Sequence, residues 1–147
     1  MLKTKNVVLE DNGNRLTFVI RQMPALKAWH WCNKVILLLC NAGADIPLEN
    51  GFSGAVEYIR EHGLGVLGKL DYGKAQPLME ELLAQCYRVV DKMETQVTPD
   101  SCEAYLEDVR TLYLLEKEAF ILSLPFFSGA GASTTQGSPS TVTLKAR

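Results

Sequence analysis

The segment Pro24–Asn41 constrains the fold most, because it is the longest apolar stretch of the chain and its apolar residues recur with a helical period. One row of apolar residues advances in steps of three and four, through Ala25, Trp29, Cys32, Ile36 and Leu39. A narrow polar stripe formed by Lys27, His30 and Lys34 lies opposite this row. A helix that is apolar over most of its circumference is normally covered by several neighbours. We therefore expect a central helix here, ended by Gly43 in a left-handed conformation.

Length and composition indicate one globular domain that binds neither nucleic acid nor a membrane. The 147 residues are enough for one core, and a hydrophobic content of 47% with 22% charged residues is ordinary for such a domain. A net charge of −2 provides no basic field, so we expect no nucleic-acid partner. The run Val35–Cys40 is too short to cross a bilayer, and the first residues lack a signal pattern, so we expect no membrane association.

Residues with catalytic or metal-binding chemistry do not fall into any known spacing. The four cysteines form no CxxC pair, which favours free, buried thiols in a reducing cytoplasm: they are Cys32, Cys40, Cys86 and Cys102. His30 and His62 have no metal-ligand spacing to any cysteine. The chain has neither GxSxG nor HExxH. We therefore expect no catalytic residue, no metal and no cofactor, and a protein that is not an enzyme.

A β-hairpin is predicted over residues 6–22. Apolar and polar residues alternate there, and Asn12-Gly13 is a strong two-residue turn signal. This turn sets three cross-strand pairs, which are Val7 with Phe18, Leu9 with Leu16, and Glu10 with Arg15. We expect the face that carries Leu16, Phe18 and Ile20 to dock on the central helix, because an isolated hairpin is marginal in water.

Helical periods account for most of the remaining chain. They predict a short helix over Phe52–His62, a long one over Asp71–Met93, and a last one from about Asp100 to Leu124 with a break near Asp108. The expected inward row of this last helix is Tyr105 or Leu106, then Val109, Leu112, Leu115 and Ala119, ending at Leu122. Glu116, Lys117 and Glu118 are expected to face solvent.

The predicted fold class is therefore mostly α, with an N-terminal β-hairpin followed by a four- to five-helix bundle and a disordered C-terminal tail. Residues 1–127 form a single helical domain in this interpretation. Residues 128–147 are rich in Gly, Ser and Thr and have almost nothing to bury, which predicts a disordered tail.

The segment Gly63–Leu70, with the sequence GLGVLGKL, fits part of a phosphate-binding loop. A small NTP-binding protein that uses Gly63–Lys69 is therefore one alternative. Three features count against it: Leu70 follows Lys69 where a hydroxyl is needed for magnesium, the preceding segment is helical rather than a buried strand, and no βαβ pattern is present. An apolar turn or weak helix is the favoured interpretation.

The order of these segments is similar to that of a known family. A hairpin leads into LTFVIRQMPALKAWHWCNKVILLL, followed by KLDYGKAQPLMEELL, and the last helix reads TLYLLEKEAFILSLPFFSG with its closing Pro-Phe-Phe. Together, over about residues 5 to 127, they resemble the tail assembly chaperones of long-tailed bacteriophages. The loop around GADIPLENG and the glycine-rich GLGVLG depart from the family pattern.

The resemblance implies a binding function rather than catalysis. Proteins of that family bind the tape-measure protein and keep it soluble in the host cytoplasm while the tail tube polymerises, and they are absent from the mature virion. The resemblance leaves open whether the protein also binds the tail tube protein or associates with itself. The alternative class is a structural tail or head–tail adaptor subunit that stays in the virion.

Candidate partner-binding residues are aromatic, because aromatic anchors often carry much of the affinity of an interface. They are Trp29, Trp31, Phe126 and Phe127. Tryptophans at such positions are more often core residues than part of a binding cage. The two phenylalanines follow the helix-ending Pro125, where they suit either a lid on the core or part of a binding patch.

Overall fold

The computed structural model of the chain describes residues 1–46, 52–124 and 141–145. Within these ranges the chain forms one sheet, with helices packed against it. The strands are β1 (Thr4–Asp11), β2 (Asn14–Arg21), β3 (Cys86–Val90), β4 (Met93–Gln96) and β5 (Thr141–Lys145). The helices are α1 (Ala25–Asn41), α2 (Phe52–His62), a 3-10 helix (Gly63–Lys69), α3 (Tyr72–Leu83), α4 (Pro99–Cys102) and α5 (Val109–Ser123).

The N-terminal hairpin is confirmed in both its turn and its register. Asn12 and Gly13 have φ angles of 50° and 90°, the left-handed pair that a two-residue hairpin turn of the primed type requires. The three predicted cross-strand pairs are all present: Val7 with Phe18, Leu9 with Leu16, and Glu10 with Arg15. The predicted facing also holds, since the side chains of Leu16, Phe18 and Ile20 are buried.

The predicted mostly helical bundle is wrong, because the hairpin is part of a larger sheet and the protein has an α/β fold. The strand order is β4-β3-β2-β1-β5. The strands β1 to β4 pair in an antiparallel manner, whereas β5 runs parallel to β1. Helices cover the face of the hairpin that carries the buried side chains.

The error arose in the predicted helix Asp71–Met93, which in fact ends at Leu83. The chain then forms β3 and β4, and Asp91 and Lys92 make the turn between them with φ angles of 50° and 68°. The apolar residues of this stretch happen to recur at a helical spacing as well. Pairing with β2 decides the outcome, because it places Cys86 opposite Ile20 in the core, and both are fully buried.

The predicted disordered tail also needs correction at one place. Residues 141–145 form β5, whose register sets Val142 opposite Val7 and Leu144 opposite Leu9. The other residues of the tail, 128–140 and 146–147, lie outside the described ranges.

Helix α1 is confirmed in its bounds, with Pro24 at its N-terminal cap and Gly43 just beyond its end at a φ of 88°. It is not the helix on which the hairpin docks, however. The helix that lies closest to β1 and β2 is α5. Two contacts with the ends of the hairpin fix this packing: the Met23 N–H donates to Ser123 Oγ at 3.1 Å, and Lys5 Nζ lies 2.5 Å from Glu118 Oε1.

Helix α5 begins at the predicted break, where the side chain of Asp108 accepts a hydrogen bond from the Arg110 N–H. The short helix α4 precedes the break, and its N-cap is Thr98, whose side chain accepts a hydrogen bond from the Ser101 N–H. The predicted inward row of α5 is right at Leu115 and Ala119, which are fully buried, and wrong at Val109. Its buried residues are Thr111, Leu115, Glu118, Ala119, Phe120 and Ser123, while Val109 is exposed.

Candidate functional site

The two tryptophans of α1 have different environments. Trp31 is fully buried, its Nε1–H donates to the Leu78 carbonyl oxygen at 3.1 Å, and its ring meets Phe120 edge-on with 5.9 Å between centroids. Trp31 is therefore a core residue that joins α1 to α3 and α5. Trp29 is 49% exposed and remains a candidate for partner binding. Phe126 and Phe127 lie outside the described residues.

Trp29 belongs to an exposed apolar stripe on α1, which we call the α1 stripe and define as Leu26, Trp29 and Leu37. Their spacing places the three side chains on one face of the helix, and all three are largely exposed. An open hollow of about 680 Å³ borders Leu26 and is otherwise lined mainly by charged residues. Its charges are partly satisfied within the protein, since Lys34 Nζ lies 2.7 Å from Glu81 Oε2.

A second surface has a clearer shape. A groove of about 410 Å³, which we call the α3–α5 groove, lies between the 3-10 helix, α3 and α5. Its walls are mostly apolar and consist of Leu64, Leu67, Leu70, Ala75 and Met79. Tyr72 and Tyr113 also line it and remain 70% and 55% exposed. This size falls in the range of ordinary ligand pockets, and the rim carries the residue type that dominates binding surfaces.

The sequence GLGVLGK builds one wall of this groove. Gly63 adopts a φ of 61°, a left-handed conformation that turns the chain from α2 into the 3-10 helix. Val66 and Leu67 are buried and anchor this helix to the core. Gly65 and Gly68 line the groove with backbone alone, and a Cβ built on either would meet no atom within 4 Å. The wall is therefore open at both glycines.

The same segment lacks the geometry of a phosphate-binding loop. The element that precedes Gly63 is α2, a helix, and the segment itself is a 3-10 helix rather than a loop between strand and helix. A phosphate-binding loop would need a strand before it and a hydroxyl residue after Lys69, where Leu70 stands. The predicted apolar turn or weak helix is confirmed here.

Among the residues that the structure describes, Glu116 is the one carboxylate that lines the α3–α5 groove. Burial raises the pKa of the Glu116 carboxyl from its usual 4.5 to about 7. Within the part of the chain that the structure describes, no hydrogen bond or ion pair to this carboxyl is found. Glu116 and Glu118 were expected to face solvent, and both expectations are wrong, because α5 turns this part of its surface toward its neighbours.

Among the described residues, the two buried thiols are poorly suited to nucleophilic chemistry. Burial raises the pKa of the Cys32 thiol to about 11 and that of the Cys86 thiol in the same direction, which disfavours a nucleophilic thiolate. Among the described residues, no group of three or more His, Cys, Asp or Glu side chains is placed to hold a metal ion. The arrangement is suited to binding an apolar segment.

Sequence reasoning missed most of this groove. Tyr72, Tyr113 and Glu116 come from two helices that are far apart in the chain, and nothing in the sequence places them together. A partial signal was present, since Tyr113, Glu116 and Phe120 recur at helical spacing and mark a second face of α5. The neighbouring apolar row of α5 is the stronger pattern, and it alone determines the predicted inward face.

Within the described ranges, no helix is long and apolar enough to span a bilayer. No protein-family model, curated protein or solved structure matches this chain.

Proposed function

We propose that this protein is a tail assembly chaperone of a long-tailed bacteriophage, which binds the tape-measure protein and keeps it soluble while the tail tube polymerises. The observation that carries the proposal is the α3–α5 groove, an open apolar channel with exposed tyrosines at its rim. A groove of this kind suits an amphipathic helix, whose apolar side chains at i, i+3, i+4 and i+7 enter it as anchors.

The identity of the partner comes from the resemblance of the sequence pattern over residues 5 to 127. Tape-measure proteins of the family are long and helical, and their apolar helix faces need cover until the tube surrounds them. The α1 stripe offers a second apolar contact surface for the same partner.

Co-expression with the tape-measure protein of the same phage tests the proposal. The wild-type chain should move the tape-measure protein from the pellet to the supernatant. The double variant Tyr72→Ser with Tyr113→Ser should lose this effect while remaining folded, because both side chains are largely exposed and contribute little to the core.

The matched control is the double variant Val90→Ser with Met93→Ser, which removes two exposed apolar side chains at the β3–β4 turn. It should keep the solubilising effect. A third variant, Leu26→Ser with Leu37→Ser, measures how much the α1 stripe contributes to the solubilising effect. Equal losses in the groove variant and the control would mean that the groove is not the binding site.

Mass spectrometry of purified virions separates the chaperone from a structural tail or head–tail adaptor subunit. We expect the protein in lysates of infected cells and not in purified particles, since a chaperone leaves once the tube is complete. A fixed number of copies per virion would favour the structural subunit.

A further inference from the structure

We infer that the α3–α5 groove is selective for an apolar helix that carries one basic residue, whose ammonium or guanidinium group pairs with the Glu116 carboxylate. This inference rests on the proposed function, because it names the chemistry of the partner segment that the groove receives. It goes beyond that function by assigning Glu116 as the residue that selects among apolar helices.

The first support comes from comparing Glu116 with the other poorly exposed carboxylates of the protein. Asp11 is fully buried and accepts three hydrogen bonds, from Glu107 N–H, Asp108 N–H and Thr111 Oγ1. Glu118 is 9% exposed and pairs with Lys5. The fold thus supplies partners to carboxylates that it removes from water, as a low-dielectric environment requires.

Glu116 departs from this pattern. It lines a groove whose walls are mostly apolar, and no cation from the 3-10 helix, α3 or α5 lies within ion-pair distance of it among the described residues. The titratable side chains that line the same groove are the phenols Tyr72 and Tyr113, and the buried Cys86 thiol feels the charges of both Glu116 and Glu118. A half-buried carboxylate without a partner is unfavourable, and a cation brought by a ligand removes that cost.

The complementary ligand is therefore apolar along the groove and cationic at one point. A helix that covers the groove without a cation would bury Glu116 further and leave it unpaired. A helix with an acidic residue at this point would add repulsion between like charges. Lysine and arginine suit the site because their long aliphatic stems pack on apolar walls while the charged end reaches a carboxylate.

Three synthetic helices test this selectivity on the full-length protein. Each has about 18 residues, a length at which a designed amphipathic peptide can be helical. All carry the same leucine face and a single variable position at its centre, occupied by Lys, Gln or Glu. Binding is measured by fluorescence anisotropy of the labelled peptide.

We expect the Lys helix to bind most tightly and the Glu helix most weakly. Glu116→Gln should reduce the preference for Lys over Gln by roughly fivefold, since a half-buried pair falls between exposed and fully desolvated pairs. The charge-reversed variant Glu116→Lys should prefer the Glu helix. Glu81→Gln is the matched control, because Glu81 lies on α3 beside Lys34 of α1 and does not line the groove. It should leave the order of the three helices unchanged.

The pH dependence supplies an independent readout on the wild-type protein. From one unit below to one unit above the Glu116 pKa of about 7, affinity for the Lys helix should rise, because the carboxylate forms and pairs. Affinity for the Gln helix should fall over the same range, because binding then buries an unpaired charge. Parallel slopes for the two helices would overturn the inference.

Failure of this inference is distinguishable from failure of the proposed function. If the wild-type chain solubilises the tape-measure protein but Glu116→Gln leaves the order of the three helices intact, the function stands and the role of Glu116 is wrong. If the helices show the expected order but the tape-measure protein stays in the pellet, the groove has the inferred selectivity and the proposed partner is wrong.

Discussion

At the scale of single residues, the buried Asp11 joins two distant parts of the described chain through three hydrogen bonds. Its carboxylate lies at the end of β1 and accepts from two backbone N–H groups just before α5 and from the Thr111 hydroxyl, at 2.9, 2.9 and 2.7 Å. These contacts join the turn of the hairpin to the start of α5. They satisfy donors that the beginning of a helix otherwise leaves unpaired.

Asp11→Ala should therefore lower the free energy of unfolding by about 2–4 kcal/mol, since a buried charged acceptor is lost and its donors are orphaned. The control is Glu10→Ala, whose side chain is exposed on the same strand and should cost under about 0.5 kcal/mol. Urea denaturation measures both. A difference of less than about 1 kcal/mol between them would contradict the assigned role.

Phe18 tests the facing of the hairpin. It is fully buried, and its ring centroid lies 6.5 Å from that of Tyr105, whereas Thr17 points to the other side and is exposed. Phe18→Ala should cost roughly 3–5 kcal/mol and Thr17→Ala well under ~1 kcal/mol. Equal shifts in the denaturation midpoint would show that the buried face of β2 has been assigned wrongly.

Glu116 gives the stability of the protein a pH dependence of predictable sign. The folded pKa of about 7 is above the usual 4.5, so between these values the folded state binds more protons than the unfolded state. Its contribution to stability is therefore fully present below pH 4.5 and is lost as the pH rises through 7.

Glu116→Gln should remove this slope. The variant should be more stable than the wild type at pH 8, with the difference shrinking as the pH falls through the folded pKa of about 7. Thermal denaturation over this pH range measures the effect. A gain in stability that grows toward low pH would have the wrong sign and would refute the assignment.

At the scale of secondary-structure elements, local turn chemistry separates what could be predicted from what could not. The first hairpin could be predicted because Asn12-Gly13 adopts the required left-handed conformation at little cost. The second hairpin turns on Asp91-Lys92, a pair that gives a weak turn signal, while its apolar residues also fit a helix. Pairing with β2, a contact between residues far apart in the chain, decides in favour of strands.

The turn at Lys92 yields a prediction whose sign distinguishes the β3–β4 hairpin from the helix that the sequence predicts over the same segment. Lys92 has a φ of 68°, which costs a residue with a side chain roughly 1 kcal/mol that glycine avoids. Lys92→Gly should therefore stabilise the protein by about that amount in chemical denaturation. If the segment were helical, the same change would destabilise it by about 1 kcal/mol.

Less of the candidate site than of the fold could be predicted from the sequence. The pattern of GLGVLG predicted an apolar packing segment, and this segment does form one wall of the groove. The sequence marks Trp31 as a candidate binding residue, whereas the structure places it in the core, because an aromatic residue on a helix has no local signal that tells burial from exposure. The groove depends on how α3 and α5 pack, and helical periods alone do not determine that arrangement.

At the scale of the whole molecule, the sheet and the helices play different parts. The buried contacts of β1 and β2 with α5 hold the domain together. The two candidate binding surfaces, the α3–α5 groove and the α1 stripe, lie on the helices. This division lets a partner bind the helices without disturbing the contacts that stabilise the sheet.

Site-specific photo-crosslinking tests the central claim, that the α3–α5 groove receives the tape-measure protein, most directly. A photoreactive phenylalanine analogue replaces Tyr113 in the groove or, as the control, the exposed Met93 at the start of β4. Each variant is co-expressed with the tape-measure protein and irradiated, and the yield of crosslinked product is measured. The account predicts a strong crosslink from position 113 and little from position 93. Equal yields, or a crosslink from position 93 alone, would contradict it.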